Sequence, residues 1–170
     1  CHKCQTHLVP IGVKPQNLNS IYTYADGSQN QLEKLIAEGY LEDNLPETIS
    51  TVVNWSDETQ TLDLRVRSYI DINCAHCHSE SAYCDYRPVR FTFNDSYNET
   101  NLGVCVDPDT VIPGMTKIIT PSIKERSVMY FRLDTAAQEY RMPLLGRTII
   151  HEEAVALIGE WIDGLTTECN

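Results

Sequence analysis

The segment Cys74-Ala-His-Cys77-His78 is the feature that most constrains this chain. Its C-x-x-C-H spacing is typical of covalent haem attachment. Two thiols one helical turn apart reach two vinyl groups along one porphyrin edge and form thioethers, and the adjacent imidazole then serves as an axial ligand of the iron. The alternatives are a disulfide between the two cysteines, or half of a zinc site to which His78 is incidental. The motif predicts one covalently bound haem c.

Met142 is predicted to be the second axial ligand. It lies in a loop punctuated by proline and glycine, directly before an amphipathic segment. A thioether is a soft ligand that raises the reduction potential relative to a second histidine, and Pro143 would stiffen the loop that presents it. The alternative is that Met142 only fills space in the core, as methionine often does. Met115 and Met129 are the rival thioethers.

Two arginines flank Met142 in the sequence. Arg141 and Arg147 carry guanidinium groups, which form strong charge-assisted hydrogen bonds with carboxylates. They are therefore candidate contacts of the haem propionates, and ordinary surface charge is the alternative.

Hydrophobic periodicity predicts a mainly α-helical chain. Apolar residues recur at helical spacing over 31–38, 59–73, 127–133 and 152–165. His151 is expected to cap the last of these helices. Residues 1–30 are expected to be irregular. The stretch after the haem motif is rich in loops, and the alternation of Val89, Phe91 and Phe93 predicts one short strand there.

The chain is expected to contain a haem domain and an extension. Residues 59–170 hold the haem motif, the methionine loop and the closing helix. Residues 1–58 have one predicted helix and many loops, which is too little apolar surface for a core of their own. We therefore expect the extension to pack on the haem domain.

Cysteine content indicates an oxidising compartment. Seven cysteines among 170 residues are many for a reducing cytosol, so we expect an exported protein that is periplasmic, cell-surface or extracellular. Cys84 and Cys105 flank the stretch after the haem motif and are predicted to pair. Closing a loop of this length is worth roughly 3 kcal/mol in the chain-entropy model.

The first residues offer a further cysteine pair. Cys1 and Cys4 are expected to form a disulfide with each other, or one of them with Cys169. Together with His2 and His7 they could instead form a zinc or copper site. The disulfide is preferred, so a second metal is not expected.

The charge balance narrows the choice of partners. The chain carries 24 acidic and 13 basic residues, for a formal net charge of −11. This surplus repels a phosphate backbone and argues against nucleic acid, whereas it suits a redox partner protein with a basic docking surface. No apolar run approaches the roughly 20 residues that a membrane-spanning helix needs.

The order of helix, C-x-x-C-H, loop, Met-Pro and closing helix resembles a class I cytochrome c. More specifically, YIDINCAHCH at 69–78, YRMPLLGR at 140–147 and HEEAVALIGEWI at 151–162 resemble a family of bacterial exported cytochrome-c-domain proteins. The resemblance implies a mainly helical domain in which the helix before the motif crosses the closing helix, ligation by His78 and Met142, and an electron-transfer role. The first C-x-x-C is followed by Gln5, which cannot act as a proximal imidazole, so one haem is expected.

Electron transfer is thus the expected function, either alone or as a module of a larger cytochrome assembly, with no enzymatic activity of its own. One alternative is a haem enzyme or sensor whose sixth ligand is displaceable. Another is a zinc-binding structural module built from Cys1, Cys4, Cys74 and Cys77, although these pairs lie much farther apart than the roughly 15–20 residues that are usual.

Overall fold

Long loops connect the helices of this chain. The structure is a computed structural model that describes residues 12–169 and, for the backbone alone, His2–Cys4 and His7–Val9. The helices are α1 (Pro15–Leu18), α2 (Gln31–Ala37), α3 (Leu62–Cys74), α4 (Glu99–Leu102), α5 (Val128–Leu133) and α6 (Glu152–Asp163). Short 3₁₀ helices cover Asp95–Tyr97 and Lys124–Arg126. Within the described part of the chain, none of the helices has the length and apolar character that a membrane crossing requires.

The four helices predicted from periodicity are confirmed as α2, α3, α5 and α6. The largest difference is at the start of α3, which begins at Leu62 rather than at residue 59. Thr61 is its N-cap, because the threonine hydroxyl accepts a hydrogen bond from the Leu64 amide. At the other end, α3 runs through Cys74, so the haem motif begins on the last residue of the helix.

The crossing of α3 and α6 forms the centre of the core. Ile70 of α3 and Ile158 and Ile162 of α6 are almost completely buried, and each such side chain contributes about 1.5–3 kcal/mol when it leaves water. Gly159 allows α5 to approach α6, because a Cβ at this position would lie 3.0 Å from Tyr130 Cε2. The core therefore joins the helix that carries the haem motif to the closing helix.

The predicted strand around Val89, Phe91 and Phe93 is wrong. The alternation does mark burial, since all three side chains are less than 9% exposed. However, the amides of this segment donate to groups outside any strand. Phe91 N donates to His78 O at 2.8 Å, and Phe93 N donates to Asp71 Oδ1 at 2.9 Å. Buried alternating residues can thus line an irregular loop when other polar groups satisfy its amides.

The expectation of an irregular N-terminal stretch is also wrong. Strand β1 (His2–Cys4) pairs antiparallel with β2 (His7–Val9), and β3 (Ile21–Tyr24) pairs antiparallel with β4 (Gly27–Asn30). The second hairpin turns through Ala25-Asp26, and its strands are mostly exposed on both faces. Such strands have no apolar alternation, which is why periodicity did not reveal them. The Asp-Gly dipeptide at the turn was the available signal.

Residues 12–58 are attached to α3 by polar contacts. Lys14 Nζ donates to Asp71 Oδ1 at 2.6 Å, and the Asp71 side chain is completely buried. Farther along α3, the Val53 amide donates to Ser68 Oγ at 2.9 Å. These contacts hold both ends of the extension against the helix that leads into the haem motif.

One disulfide joins Cys105 to Cys169, across a sequence separation of 64. The predicted Cys84–Cys105 bond is therefore wrong, and Cys84 is a thiol. The C-terminal tail returns to α4, where Thr167 Oγ1 donates to Glu99 Oε2 at 2.7 Å, and this return brings Cys169 to Cys105. Periodicity and spacing could not show where the tail lies.

The predictions for the first C-x-x-C concern atoms outside the described part of the structure. Cys1 is outside it, and so are the side chains of Cys4, His2 and His7. The disulfide predicted there, and the zinc or copper site that was its alternative, stay predictions.

Cys169→Ser should lower the free energy of unfolding by about 2–4 kcal/mol, because the bond closes a long loop in the unfolded chain. Urea denaturation would measure this loss, and Cys84→Ser is the matched control with no expected effect. Non-reducing peptide mapping should give a linked fragment with Cys105 and Cys169. A fragment that links Cys84 to Cys105 would contradict the structure.

Lys14→Met should destabilise the fold by about 3 kcal/mol, because it leaves the buried Asp71 carboxylate without its cation. The double variant Lys14→Met/Asp71→Asn should be more stable than the single variant, since it removes the unpaired charge. Lys117→Met is the control: its partner Asp107 is 83% exposed, so a loss below about 1 kcal/mol is expected. Equal losses in both lysine variants would contradict the buried pair.

Candidate haem-binding site

The haem motif continues the C-terminal turn of α3. The Cys77 and His78 amides both donate to Cys74 O, at 3.1 and 3.0 Å. Carbonyls at a helix end have no partner within the helix, so these bonds satisfy Cys74 and fix the turn. The three residues of the motif are therefore held together by backbone geometry, and both cysteines carry thiols.

His78 has the properties of a metal-binding imidazole. Burial is the main cause that lowers its pKa from 6.5 to about 4. Neighbouring positive charges add to the effect: Arg87, His76, Arg90 and Arg132. The ring lies 5.2 Å from the Phe91 ring, and its Nδ1 is buried with no hydrogen-bond partner among the described residues. A neutral imidazole with an unused nitrogen is the form that ligates a metal.

The surroundings of Cys74 favour an uncharged sulfur. Desolvation raises the pKa of its thiol from 9.0 to about 12, and the nearby Cys77 and Asp71 add to the rise. A structural zinc site needs thiolates, which this environment disfavours. A thioether carries no charge and suits the same environment.

A small crevice of about 30 Å³ opens beside α3 and α6. Met142 and Pro143 line one side, and Ala154 and Val155 of α6 line another. Small-molecule pockets begin at roughly 300 Å³. The crevice as it stands is therefore too small for a porphyrin, and its lining residues would have to move apart to admit one.

The three methionines occupy different environments. Met142 lines the crevice, Met129 packs against the core, and Met115 lies in a turn where its amide donates to Ile112 O at 3.0 Å. Met129 therefore acts as a packing residue. Met142 is the methionine that the structure places at the crevice.

Arg132 connects the regions of the two predicted axial ligands. Its carbonyl accepts a hydrogen bond from the Met142 amide at 2.9 Å, and its positive charge is one of those that lower the pKa of His78. The end of α5 thus lies near both ligands. Desolvation also lowers the pKa of Arg132 itself.

The two arginines next to Met142 have different environments. Arg141 Nε is buried and has no hydrogen-bond partner among the described residues, so a propionate contact stays a prediction that this unused donor supports. Arg147 donates to backbone carbonyls with all five of its N–H groups. All five of its donors are engaged here, and the propionate contact of Arg147 stays a prediction.

A cluster of aromatic and polar rings at the crevice was not predicted. The Tyr69 hydroxyl and His151 Nδ1 are hydrogen-bonded at 3.0 Å, and the Trp55 ring lies 5.7 Å from Tyr69 and 5.1 Å from His151. His151 is the N-cap residue of α6, as expected. Its side chain, however, makes no capping hydrogen bond among the described residues. The proximity of Tyr69 and His151 results from the helix crossing, and no local sequence signal could reveal it.

The residues present fit a covalently attached haem, because a neutral imidazole and two thiols lie on one turn at the end of α3. A thioether lines a crevice that Tyr69 of the same helix also lines. Within residues 12–169, no three His, Cys, Asp or Glu side chains form a group that could hold a metal ion by themselves. A four-ligand zinc site would require Cys1 and Cys4, whose side chains are not described.

Comparison with known proteins gives no relatives: no family model, no curated protein and no solved structure matches the chain. The resemblance to class I cytochromes c and to the exported cytochrome-domain family therefore stays a prediction based on the motifs.

Tyr69→Phe should reduce the loss of stability at high pH. Burial raises the pKa of Tyr69 from 10.0 to about 12. Between these values the unfolded chain loses the phenol proton while the folded chain keeps it, so folding becomes less favourable as the pH rises. Guanidinium denaturation at pH 8 and pH 11 should show a smaller difference for Tyr69→Phe than for wild type. The control is Tyr40→Phe, at a side chain that is 82% exposed, and an identical loss in all three proteins would contradict the argument.

Proposed function

We propose that this chain is an electron-transfer domain with one covalently bound haem c. The observation that carries the proposal is the C-x-x-C-H turn at the end of α3, where His78 is neutral and has a buried, unused ring nitrogen. Cys74 and Cys77 would hold the haem through thioethers, and His78 and Met142 would be its axial ligands. The bound haem would supply one-electron chemistry at its iron.

The protein's own part in this function is to fix the ligands. The amides of Cys77 and His78 bind Cys74 O, so the imidazole is attached to the end of a helix in the core. The Met142 amide binds Arg132 O at the end of α5. Two protein ligands leave no position for a substrate, and ligands that keep their positions in both oxidation states reduce the rearrangement that accompanies each electron.

Apolar side chains at the crevice exclude water. Leu133, Ala154 and Val155 line it beside Met142. Low solvent access around a redox centre disfavours the more highly charged oxidised state, as a thioether ligand also does. The lining and the ligand therefore both favour a raised reduction potential.

An exported location and a protein partner complete the proposal. The Cys105–Cys169 disulfide suits an oxidising compartment. The net charge of −11 would attract a redox partner whose docking surface is basic. The domain would exchange electrons with such a partner, either alone or within a larger cytochrome assembly.

A second candidate is a haem sensor or enzyme with a displaceable sixth ligand. The hydrogen-bonded pair of Tyr69 and His151 beside Met142 favours it, since polar groups near the iron can stabilise a bound small ligand. Carbon monoxide should bind readily to the reduced native protein in this case. It should bind poorly if Met142 stays coordinated.

Expression in a host that attaches c-type haem should yield a red protein that stains for haem on a denaturing gel. Cys74→Ala/Cys77→Ala should lose the covalent haem because both thioether sulfurs are gone, whereas Cys84→Ala should keep it. Met142→Ala should lose the weak red charge-transfer band that reports a thioether on ferric iron. A colourless wild type that contains zinc, or haem that remains bound in the double variant on the gel, would contradict the proposal.

A further inference from the structure

We propose that Arg147 is the positioning residue for Met142: its guanidinium attaches the Met142 backbone to the end of α5 and thereby sets where the thioether lies. The inference rests on the proposed function, in which Met142 is an axial ligand. It assigns to Arg147 a role different from the propionate contact expected from the sequence.

The guanidinium of Arg147 binds five backbone carbonyls, two at the end of α5 and three in residues 134–150. Nε donates to Ile149 O at 3.0 Å, and Nη1 donates to Arg132 O at 3.1 Å. Nη2 donates to Thr135 O at 3.0 Å. The remaining two bonds run from Nη1 to Met142 O and from Nη2 to Leu133 O. One side chain thus connects the end of α5 with Thr135, Met142 and Ile149.

Two of these carbonyls belong to the last residues of α5. Arg132 and Leu133 lie in the final turn of the helix, where carbonyls have no partner within the helix and a cation is favoured by the helix dipole. Arg132 O also accepts the Met142 amide. The N–H and the C=O of Met142 are therefore both bound, the first to Arg132 O and the second to Arg147 Nη1. With both groups held, the direction of the Met142 side chain is set.

Side chains of α5 also contact this loop, since Arg132 Nη1 donates to Tyr140 O at 2.9 Å and the Phe131 and Tyr140 rings lie 5.5 Å apart. Residues 134–150, all within the described part of the chain, contain no helix or strand, so secondary structure does not hold the backbone. Leu145 is 83% exposed and Ile149 is 78% exposed, so apolar burial does not anchor the tip. A lysine in place of Arg147 could not make the same five hydrogen bonds, because its three donors are on one nitrogen and it lacks the planar guanidinium.

Loss of the Arg147 hydrogen bonds should weaken the binding of the Met142 thioether to ferric iron. A loop with unfixed carbonyls would sample conformations in which the thioether is displaced. An external ligand that competes for the same position, such as imidazole, would then bind more tightly. Loss of several charge-assisted hydrogen bonds should raise the apparent imidazole affinity at least about tenfold.

The test compares Arg147→Gln and Arg147→Lys with Arg90→Gln in the haem-loaded protein. Arg90 is a matched control, because its guanidinium also donates to three backbone carbonyls, but to those of Asp85, Arg87 and Val89. Both Arg147 variants should weaken the red charge-transfer band, bind imidazole at least about tenfold more tightly, and show faster hydrogen exchange in the peptide that contains Met142. Arg90→Gln should keep the wild-type band and the wild-type exchange of that peptide.

The outcomes separate this inference from the proposed function. A wild type with the band, together with an Arg147→Gln variant of unchanged band and imidazole affinity, overturns the positioning role alone. A wild type without covalent haem or without the band overturns the proposed ligation, and the positioning role with it. If Arg147→Gln does not fold, Arg147→Lys keeps the charge and carries the test. A purely structural arginine would lower stability without changing imidazole affinity in the folded protein.

Discussion

The crossing of α3 and α6 is the contact on which the rest of the structure depends. Ile70, Ile158 and Ile162 are buried where the helices meet, and apolar burial of this kind is the main favourable contribution to folding. The C-terminal end of α3 carries the haem motif, and the N-terminal part of α6 lines the crevice. A change that separated the two helices would therefore separate the C-x-x-C-H turn from the α6 residues that line the crevice.

Charged side chains organise the loops, which lack strand ladders. Asp71 accepts the amide of Phe93, Arg67 donates to Phe93 O at 2.6 Å, and Arg147 donates to five carbonyls. Buried backbone groups need partners, and these side chains provide them where no second strand is present. The same arrangement makes the loops dependent on single residues, since no neighbouring backbone could replace a lost carboxylate or guanidinium.

The candidate site combines neutral ligands with charged supports. His78 and Cys74 are held in their uncharged forms by desolvation. Arg90, Arg132 and Arg147 bind backbone carbonyls. A haem iron bound by uncharged imidazole and thioether ligands gains little charge compensation from them, and this stabilises the reduced state. The thioether of Met142 is the weaker of the two proposed ligands in the ferric state. Its coordination would therefore depend on the backbone hydrogen bonds that Arg147 makes to Met142 and α5.

The sequence by itself determined the helices α2, α3, α5 and α6, the C-x-x-C-H turn and the loop that contains Met142, because each depends on residues close together in the chain. The tertiary structure decided the contacts between distant segments: the partner of Cys105 is Cys169 and not Cys84, and the side chain of His151, the N-cap residue of α6, bonds to Tyr69. It also decided that Arg147 binds carbonyls. The alternation through Phe91 marked burial but not a strand, because a strand needs a partner and no local pattern specifies one.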